Sequence, residues 1–434
     1  MPSDNSLRIT KPEMSSILKR VLALNLLNEK NPSILFFDLT RLEKRVTEIQ
    51  NAFPNGTLHA IAVKTNPLIR IMEVLQKMGV GAEAASFMEV EIARHANIAP
   101  EKIVYDSPAK TMEDLQRALN SYGIHINADN FGELERIEKL ITPSTQATIG
   151  LRINPQIGAG AIQSMSVAGI YSKFGVPLGE ARTKIINAFL TCPWLTGLHV
   201  HSGSQGLGLK MLVKGIESIY NLAEEINEVL AKNNSKNRVT VLDIGGGFPI
   251  AYRDSETQLS ILDYAKQIAQ ACPQIFEKYS IITEFGRFVH ARSGWVASRV
   301  EYIKEQEGFN TIICHVGADL FLRECYNPGD WFHKFSVFDA EGNPRDEKGL
   351  LKTYQIAGPL CFGGDFIQKD VDLPVLHEGD YIVIHDSGAN AVNLWSRHCS
   401  RRIPLILGYE GKAEKGFMTI KNQETTEDIL KFWA

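Results

Sequence analysis

From about residue 58 the chain falls into a two-part rhythm. Short runs rich in β-branched and small apolar residues alternate with longer stretches whose apolar positions recur at helical spacing. The short runs are LHAIAVK, GAEAAS, KIVYDSP, IHINAD, ATIGLRINP, LTGLHVHSG, VTVLDIGGG and SIITEFGR. The longer ones include PLIRIMEVLQKM, TMEDLQRALNSYG, FGELERIEKLI and IESIYNLAEEINEVLAKN. Eight strand-like runs, each leading into a helix or a turn over roughly 230 residues, predict a (β/α)8 TIM barrel of the α/β class. A doubly wound open sheet is the alternative this pattern allows.

Beyond SIITEFGR the rhythm changes. WVASRVEYIKEQEGFNTIICHVG, FHKFSVFDAEG, KTYQIAGPLC and EGDYIVIHDSG read as strands joined by polar turns, with little helix between them. They predict a mostly β domain over residues 290–434, after a barrel over 42–289. PSILFFDLT, residues 32–40, is a strand placed before the barrel, and RLEKRVTEIQNAF follows as an entering helix. That strand is expected to pair with the late β domain, so residues 1–41 form an N-terminal segment joined to it.

The chain has 434 residues, 44% hydrophobic and 22% charged, with a net charge of −4. This is the balance of a globular protein with large cores, and it offers no basic face to nucleic acid or an anionic membrane. The opening MPSDNSLRITKPEM lacks the apolar heart of a secretory leader, and no run approaches the ~20 apolar residues of a membrane span. A cytoplasmic location is the expectation. The cysteines (192, 272, 314, 325, 361 and 399) show no CxxC pair and no zinc spacing. No metal is expected, and the thiols are expected to be reduced and mostly in the core, with Cys361 as the exception.

In a βα barrel reactive groups collect at the C-terminal ends of the strands. Strand one ends on Lys64, strand two carries Glu83 and Ser86, and strand five ends with Arg152 and Asn154. Strand six ends with His201 and Ser204, strand seven with Asp243 and Gly245, Gly246 and Gly247, and strand eight with Glu284, Gly286 and Arg287. A lysine closing an apolar strand is expected to be partly desolvated, which lowers its pKa and frees an amine able to form a Schiff base. Consecutive glycines let backbone N–H groups approach an anion, and a serine and an arginine add phosphate contacts. A carboxylate can pair with a protonated ring nitrogen, and a histidine ring can stack on a cofactor. Lysine, phosphate cradle and carboxylate together describe a pyridoxal 5′-phosphate site for a small amino-acid substrate.

The residues carrying this chemistry resemble the fold-type III pyridoxal phosphate decarboxylases, among them the ornithine, arginine and diaminopimelate decarboxylases. AVKTN, SKFG, GLHVHSGSQ, LDIGGGFP, EFGR and GPLCFGGD fall in the family's order over nearly the whole chain. GLHVHSGSQ and GPLCFGGD are most similar to the diaminopimelate branch. The resemblance implies a barrel with a C-terminal β domain, working as a homodimer with shared active sites. It implies that Lys64 holds the cofactor, that His201 stacks on its ring and that Glu284 meets its ring nitrogen. Glu83, Arg152, Ser204, Gly245, Gly246, Gly247, Gly286 and Arg287 line the cofactor site, and Cys361, from the second subunit, returns a proton after carbon dioxide leaves.

Three positions depart from that family. Phe362 replaces the acidic residue that meets the substrate's distal amine, with Asp365 three residues on as a possible substitute. Asn390 replaces a phosphate-contacting tyrosine, and Phe285 replaces a proline. Arg323, followed by Tyr326, falls where the diaminopimelate branch places an arginine for a distal carboxylate. The expected substrate therefore keeps a distal carboxylate and lacks a free amine in the usual place; diaminopimelate with altered contacts, a modified or conjugated diamino acid and a D-configured centre all satisfy this. The basic, aromatic WSRHCSRR (395–402) reads as a solvated edge. A racemase or epimerase on the same fold, and a silent homologue acting by protein binding, are the alternatives.

Overall fold

The computed structural model describes residues 7–158, 167–169 and 171–434. Residues 1–6, part of the opening stretch MPSDNSLRITKPEM, lie outside the described residues. Two compact units emerge. One holds residues 45–250 and 259–289; the other holds the chain up to Lys44, residues 251–258 and everything from His290 onward. The helix Leu39–Ala52 straddles the boundary.

The first unit is a closed parallel barrel. Its strands are Leu58–Ala62, Gly81–Ala84, Ile103–Asp106, His125–Ala128, Thr148–Asn154, Leu195–His199, Val241–Asp243 and Ser280–Thr283. Each pairs in parallel with the next, and the last pairs with the first, which closes the ring. These are the eight runs read from the sequence. Ala60, Val104 and Ile282 pack together in the barrel with Leu58 and Val241 against them. Gly150 and Gly197, neighbours on strands five and six, leave room for the buried side chains of Asn127 and His125.

Pairing register decides which side chains meet at the strand ends. Arg152 lies opposite His199, and His199 lies opposite Asp243, across strands five, six and seven. Some polar strand ends serve the following helix instead. Ser86 is the N-cap of Phe87–His95, its hydroxyl accepting from the Glu89 N–H at 3.2 Å. Thr111 and Asn130 cap the next two helices in the same way. Side-chain oxygens at these positions satisfy N–H groups that the helix leaves unpaired.

The second unit is built on a nine-stranded sheet. Ser33–Asp38 runs antiparallel to Gly294–Gln306 and parallel to Leu405–Tyr409. The sheet buries Phe36 against Trp295, ring centroids 4.2 Å apart and nearly parallel, and the Trp295 N–H donates to the Tyr409 hydroxyl at 2.9 Å. Met14, Ile17, Leu18 and Val21 of the helix Lys11–Ala23 complete this core. That helix opens with Pro12 in its first turn and a Thr10–Glu13 capping box, a local start signal that agrees with the packing.

Three cysteines, Cys272, Cys314 and Cys325, are buried, Cys192 is half-buried, and both Cys361 and Cys399 are exposed. Cys361 is therefore not the lone exposed thiol. The two stand together, the Cys361 N–H pointing at the Cys399 sulfur at 3.4 Å.

Candidate active site

Lys64 sits just past the first barrel strand, in a short 3-10 turn over Val63–Thr65. The Thr65 hydroxyl donates to the Ala62 carbonyl and the Asn66 N–H to the Val63 carbonyl, which fixes the turn. The amine contacts the carboxylate of Glu83, itself fully buried on strand two. Burial alone would lower the lysine pKa, but the carboxylates of Glu83 and Glu284 outweigh it and hold it above the ordinary value. The expectation of a lowered lysine pKa is thus corrected, because the desolvated amine has anionic neighbours. Burial pushes Glu83 up to about 8, despite the attraction of Lys64. Lys64 and Glu83 form a coupled pair able to pass one proton between them.

Across the barrel mouth lie the ends of strands six, seven and eight. His201 Nδ1 stands 3.4 Å from Glu284, and it accepts the Gly246 N–H at 3.1 Å. Its pKa is pushed down to about 3 by burial and by the Arg152 and Lys64 charges, so the ring is neutral with its proton on Nε2. Asp243 accepts the Asn127 side-chain amide at 2.8 Å and the Gly245 N–H at 3.0 Å. Burial and the neighbouring Glu284 raise Asp243 well above the carboxylate range. Glu284 is raised to about 7 by burial first and by Asp106 second.

The glycine run has a packing cause. Gly245 and Gly247 have φ of +68° and +93°. A Cβ on Gly245, Gly246 or Gly247 would run into the carbonyl of Val200, Glu284 or Gly203 respectively. The expected cradle is therefore partly spoken for: two of its N–H groups serve Asp243 and His201. Among the described residues the Gly247 N–H has no protein acceptor. Ser204 is half-buried in the loop after strand six, and Arg287 is buried in the short helix Gly286–His290.

Arg152 does more than line the mouth. Its guanidinium pairs with Asp106 at 2.8 Å and lies over the Phe174 ring at 4.5 Å, which gives the SKFG segment a role. Asp106 and His199 are buried site groups that sequence reasoning passed over. Asp106 ends the run KIVYDSP as Lys64 ends the first, so the signal was present. His199 closes strand six, two residues before His201.

Cys361, Phe362, Asp365, Arg323, Tyr326 and Asn390 belong to the other unit. Phe362 stacks on Tyr326, ring centroids 4.8 Å apart at 15°. Arg323 lies over the Trp331 ring at 4.9 Å. Asp365 is buried, and its two oxygens accept the N–H groups of Ala318 at 2.6 Å and Leu360 at 2.7 Å. The carboxylate expected at a substrate amine thus already ties two loops together through backbone N–H groups. Asn390 has φ +58°, a left-handed backbone that asparagine tolerates better than tyrosine. In the basic segment, Arg397 makes a two-pronged pair with Glu424 at 2.6 Å for both bonds.

The model for the pyridoxal binding domain of pyridoxal-dependent decarboxylases matches residues 39–291. The chain belongs to that family. It is a pyridoxal-phosphate-dependent carboxy-lyase acting on an amino acid. Diaminopimelate decarboxylase of Helicobacter pylori strain J99 is 28% identical over 408 residues, which is 93% of this chain and 95% of the relative. That of Methanothermobacter thermautotrophicus is 27% identical, covering 94% and 93%. The crystal structure of diaminopimelate decarboxylase from Helicobacter pylori complexed with L-lysine superposes with a TM-score of 0.81 at 26% identity, over 95% of this chain and 99% of that one.

The barrel residues fit the family's cofactor. Lys64 offers an amine. Glu83, Asp106 and Glu284 each keep one buried carboxylate oxygen, and His199 both ring nitrogens, without a hydrogen-bond partner among the described residues. Buried polar atoms of this kind are rare unless a ligand or water meets them. No helix among the described residues is long and apolar enough to cross a membrane.

Proposed function

We propose that this decarboxylase removes the α-carboxylate of an amino acid whose distal end carries a carboxylate and whose distal nitrogen is absent or capped. The observation that carries this reading is Phe362 stacked on Tyr326 while Asp365 is committed to backbone N–H groups. In the resembling enzymes an acid stands at Phe362. A phenyl ring offers a distal ammonium no hydrogen-bond acceptor, and Asp365, three residues on, already accepts two backbone N–H groups. Arg323 supplies the cation suited to a distal carboxylate.

Lys64 would hold the cofactor's aldehyde end, His201 its ring face and Glu284 its ring nitrogen. Ser204, Arg287 and the Gly247 N–H would meet the phosphate. Bound there, the cofactor supplies the electron sink that makes loss of carbon dioxide feasible. Glu83 takes the proton that Lys64 Nζ must shed before its amine can react. Gly246 orients His201 by donating to Nδ1. The Cys361 thiol, supplied by a second copy of the chain, returns a proton to the substrate carbon. The homodimer is what the resemblance implies, and the cytoplasmic location is the reading of a sequence with no apolar run of membrane-spanning length.

Carbon dioxide release by purified protein with added pyridoxal phosphate tests the reading. The panel holds meso-diaminopimelate, L- and D-lysine, L- and D-ornithine, L-arginine, glutamate and carboxylate-capped diamino acids. The capped compounds are expected to be turned over best. Efficient turnover of meso-diaminopimelate would sink the specificity argument. Inverted substrate without carbon dioxide would point to a racemase. Borohydride reduction should fix the cofactor on Lys64, and Lys64→Ala should remain unlabelled.

A further inference from the structure

Three buried side chains from different strands form a line beneath the mouth of the barrel. Asp106 Oδ1 lies 3.6 Å from His199 Nδ1, and His199 Nε2 lies 3.7 Å from Glu284 Oε1. All three are almost wholly buried. Neither ring nitrogen of His199 has a hydrogen-bond partner among the described residues, and neither do the two carboxylate oxygens that face it. Both separations exceed a hydrogen bond, so the coupling is electrostatic. The three groups also have the spacing of a cation site, with one ligand atom from each lying within 4.8 Å of the others. Arg152, paired with Asp106 at 2.8 Å, already supplies the positive charge there.

We propose that Asp106 and His199 are positioning residues that keep a proton on Glu284 for delivery to the ring nitrogen of the cofactor. This rests on the proposed role of Glu284. Asp106 stays ionised: burial opposes its charge, but the charges of Arg152, Lys110 and Lys64 help hold its pKa below the usual carboxylate range. An anion on the Nδ1 side draws the single N–H of the neutral imidazole to that side. The Nε2 lone pair is then turned toward Glu284. A lone pair repels a carboxylate and welcomes a carboxyl proton. The Asp106 charge, acting over the same short line, further favours protonated Glu284.

The other groups around Glu284 can be assigned. Burial and Asp106 favour its proton. His201 at 3.4 Å is neutral. Lys64, Arg152 and a hydrogen bond from Asp243, itself raised, pull the other way, toward the carboxylate, and Glu83 offsets Lys64 by direct contact. Below the pH at which Glu284 ionises, the cofactor binds without taking a proton from solvent. Above it, binding to the ring nitrogen consumes one proton, and affinity falls about tenfold per pH unit. Removing the Asp106 charge lets Glu284 ionise at lower pH, so the fall begins earlier.

The test is cofactor affinity against pH, read by tryptophan quenching on addition to stripped protein. Two ligands are compared: pyridoxal 5′-phosphate and its 1-deaza analogue, in which CH replaces the ring nitrogen. Wild type should show a break near pH 7 with the natural cofactor and none with the analogue. Asp106→Asn should move the break down by a pH unit or more, weakening the natural cofactor about tenfold at pH 8 and leaving the analogue within about twofold. His199→Gln, which removes the imidazole without adding charge, should act likewise and serves if the first variant fails to fold. Equal weakening of both ligands would make the line merely structural, and an unmoved break would overturn the proposal. Glu284→Gln separates the two layers. If it fails to discriminate between the ligands, the role of Glu284 itself is wrong; if it discriminates and the other two variants do not, only this inference falls.

Discussion

Asp365→Asn separates a structural carboxylate from a substrate-binding one. The side chain is 3% exposed, with one oxygen held by the Ala318 N–H and the other by the Leu360 N–H. Gly317 and Gly358 press against it so closely that a Cβ on either would overlap the carboxylate. A hydrogen bond to a charged acceptor contributes about 1.5–3 kcal/mol, and a buried donor left unpaired costs about 1–3 kcal/mol. Asparagine keeps one oxygen, weakens that bond by losing the charge, and turns an NH2 toward the second N–H. The expected loss is about 2–4 kcal/mol. Urea titration followed by tryptophan fluorescence, with cofactor saturating, should show a lower midpoint for the first transition. An unchanged midpoint combined with a tenfold rise in KM would refute the reasoning, because the carboxylate would then be serving the substrate.

Phe362→Glu restores an acid where the phenyl now stacks, and should shift the kcat/KM ratio of a free-amine substrate to its capped counterpart at least tenfold toward the free amine. Initial rates on both compounds check this, and an unmoved ratio would remove Phe362 from the specificity account. His59, whose Nδ1 is 2.8 Å from the Thr283 hydroxyl, is held by burial at about 4. Its folded pKa lies below the unfolded value near 6.5, so its contribution is intact above that pH and is lost as pH falls toward 4, by up to about 3 kcal/mol. His59→Gln should flatten that part of the profile, and equal falls in urea midpoint from pH 7 to pH 4.5 in both proteins would contradict it. Gly247→Ala places a Cβ at φ +93° against the Gly203 carbonyl. Strain alone costs roughly 1–3 kcal/mol, so the melting temperature should drop by several degrees, and full stability would mean that the loop has room to move.

Short runs of β-branched and small apolar residues separated by amphipathic stretches were enough to place all eight barrel strands, because parallel strands buried on both faces read as near-continuous apolar runs. The strand ends were less transparent. Ser86 and Asp106 both close a strand in a polar residue, yet one caps a helix and the other faces the barrel mouth. What separates them is direction, and a two-residue alternation read without register cannot assign it. Asp365 is ambiguous for a related reason. Its neighbourhood GPLCFGGD looks like a binding loop, and the carboxylate does bind, but to the N–H groups of its own fold. Two glycines, Gly317 and Gly358, were the available sign that something must approach closely there.

The charge state of the mouth is the part that sequence conceals most. Four carboxyls, Glu83, Asp106, Asp243 and Glu284, gather with two cations, Lys64 and Arg152. Four ionised acids would leave two uncompensated buried charges, which a low-dielectric interior does not tolerate. The surplus is held as protons. Asp106 stays ionised because Arg152 touches it, and Asp243 keeps its proton because it is buried, with Glu284 beside it adding to the effect. Glu83 and Glu284 lie between, near the pH at which either form is accessible. Those two face the proposed aldehyde and ring-nitrogen ends of the cofactor. The acids left undecided by their neighbours are thus the ones whose protons the chemistry has to move.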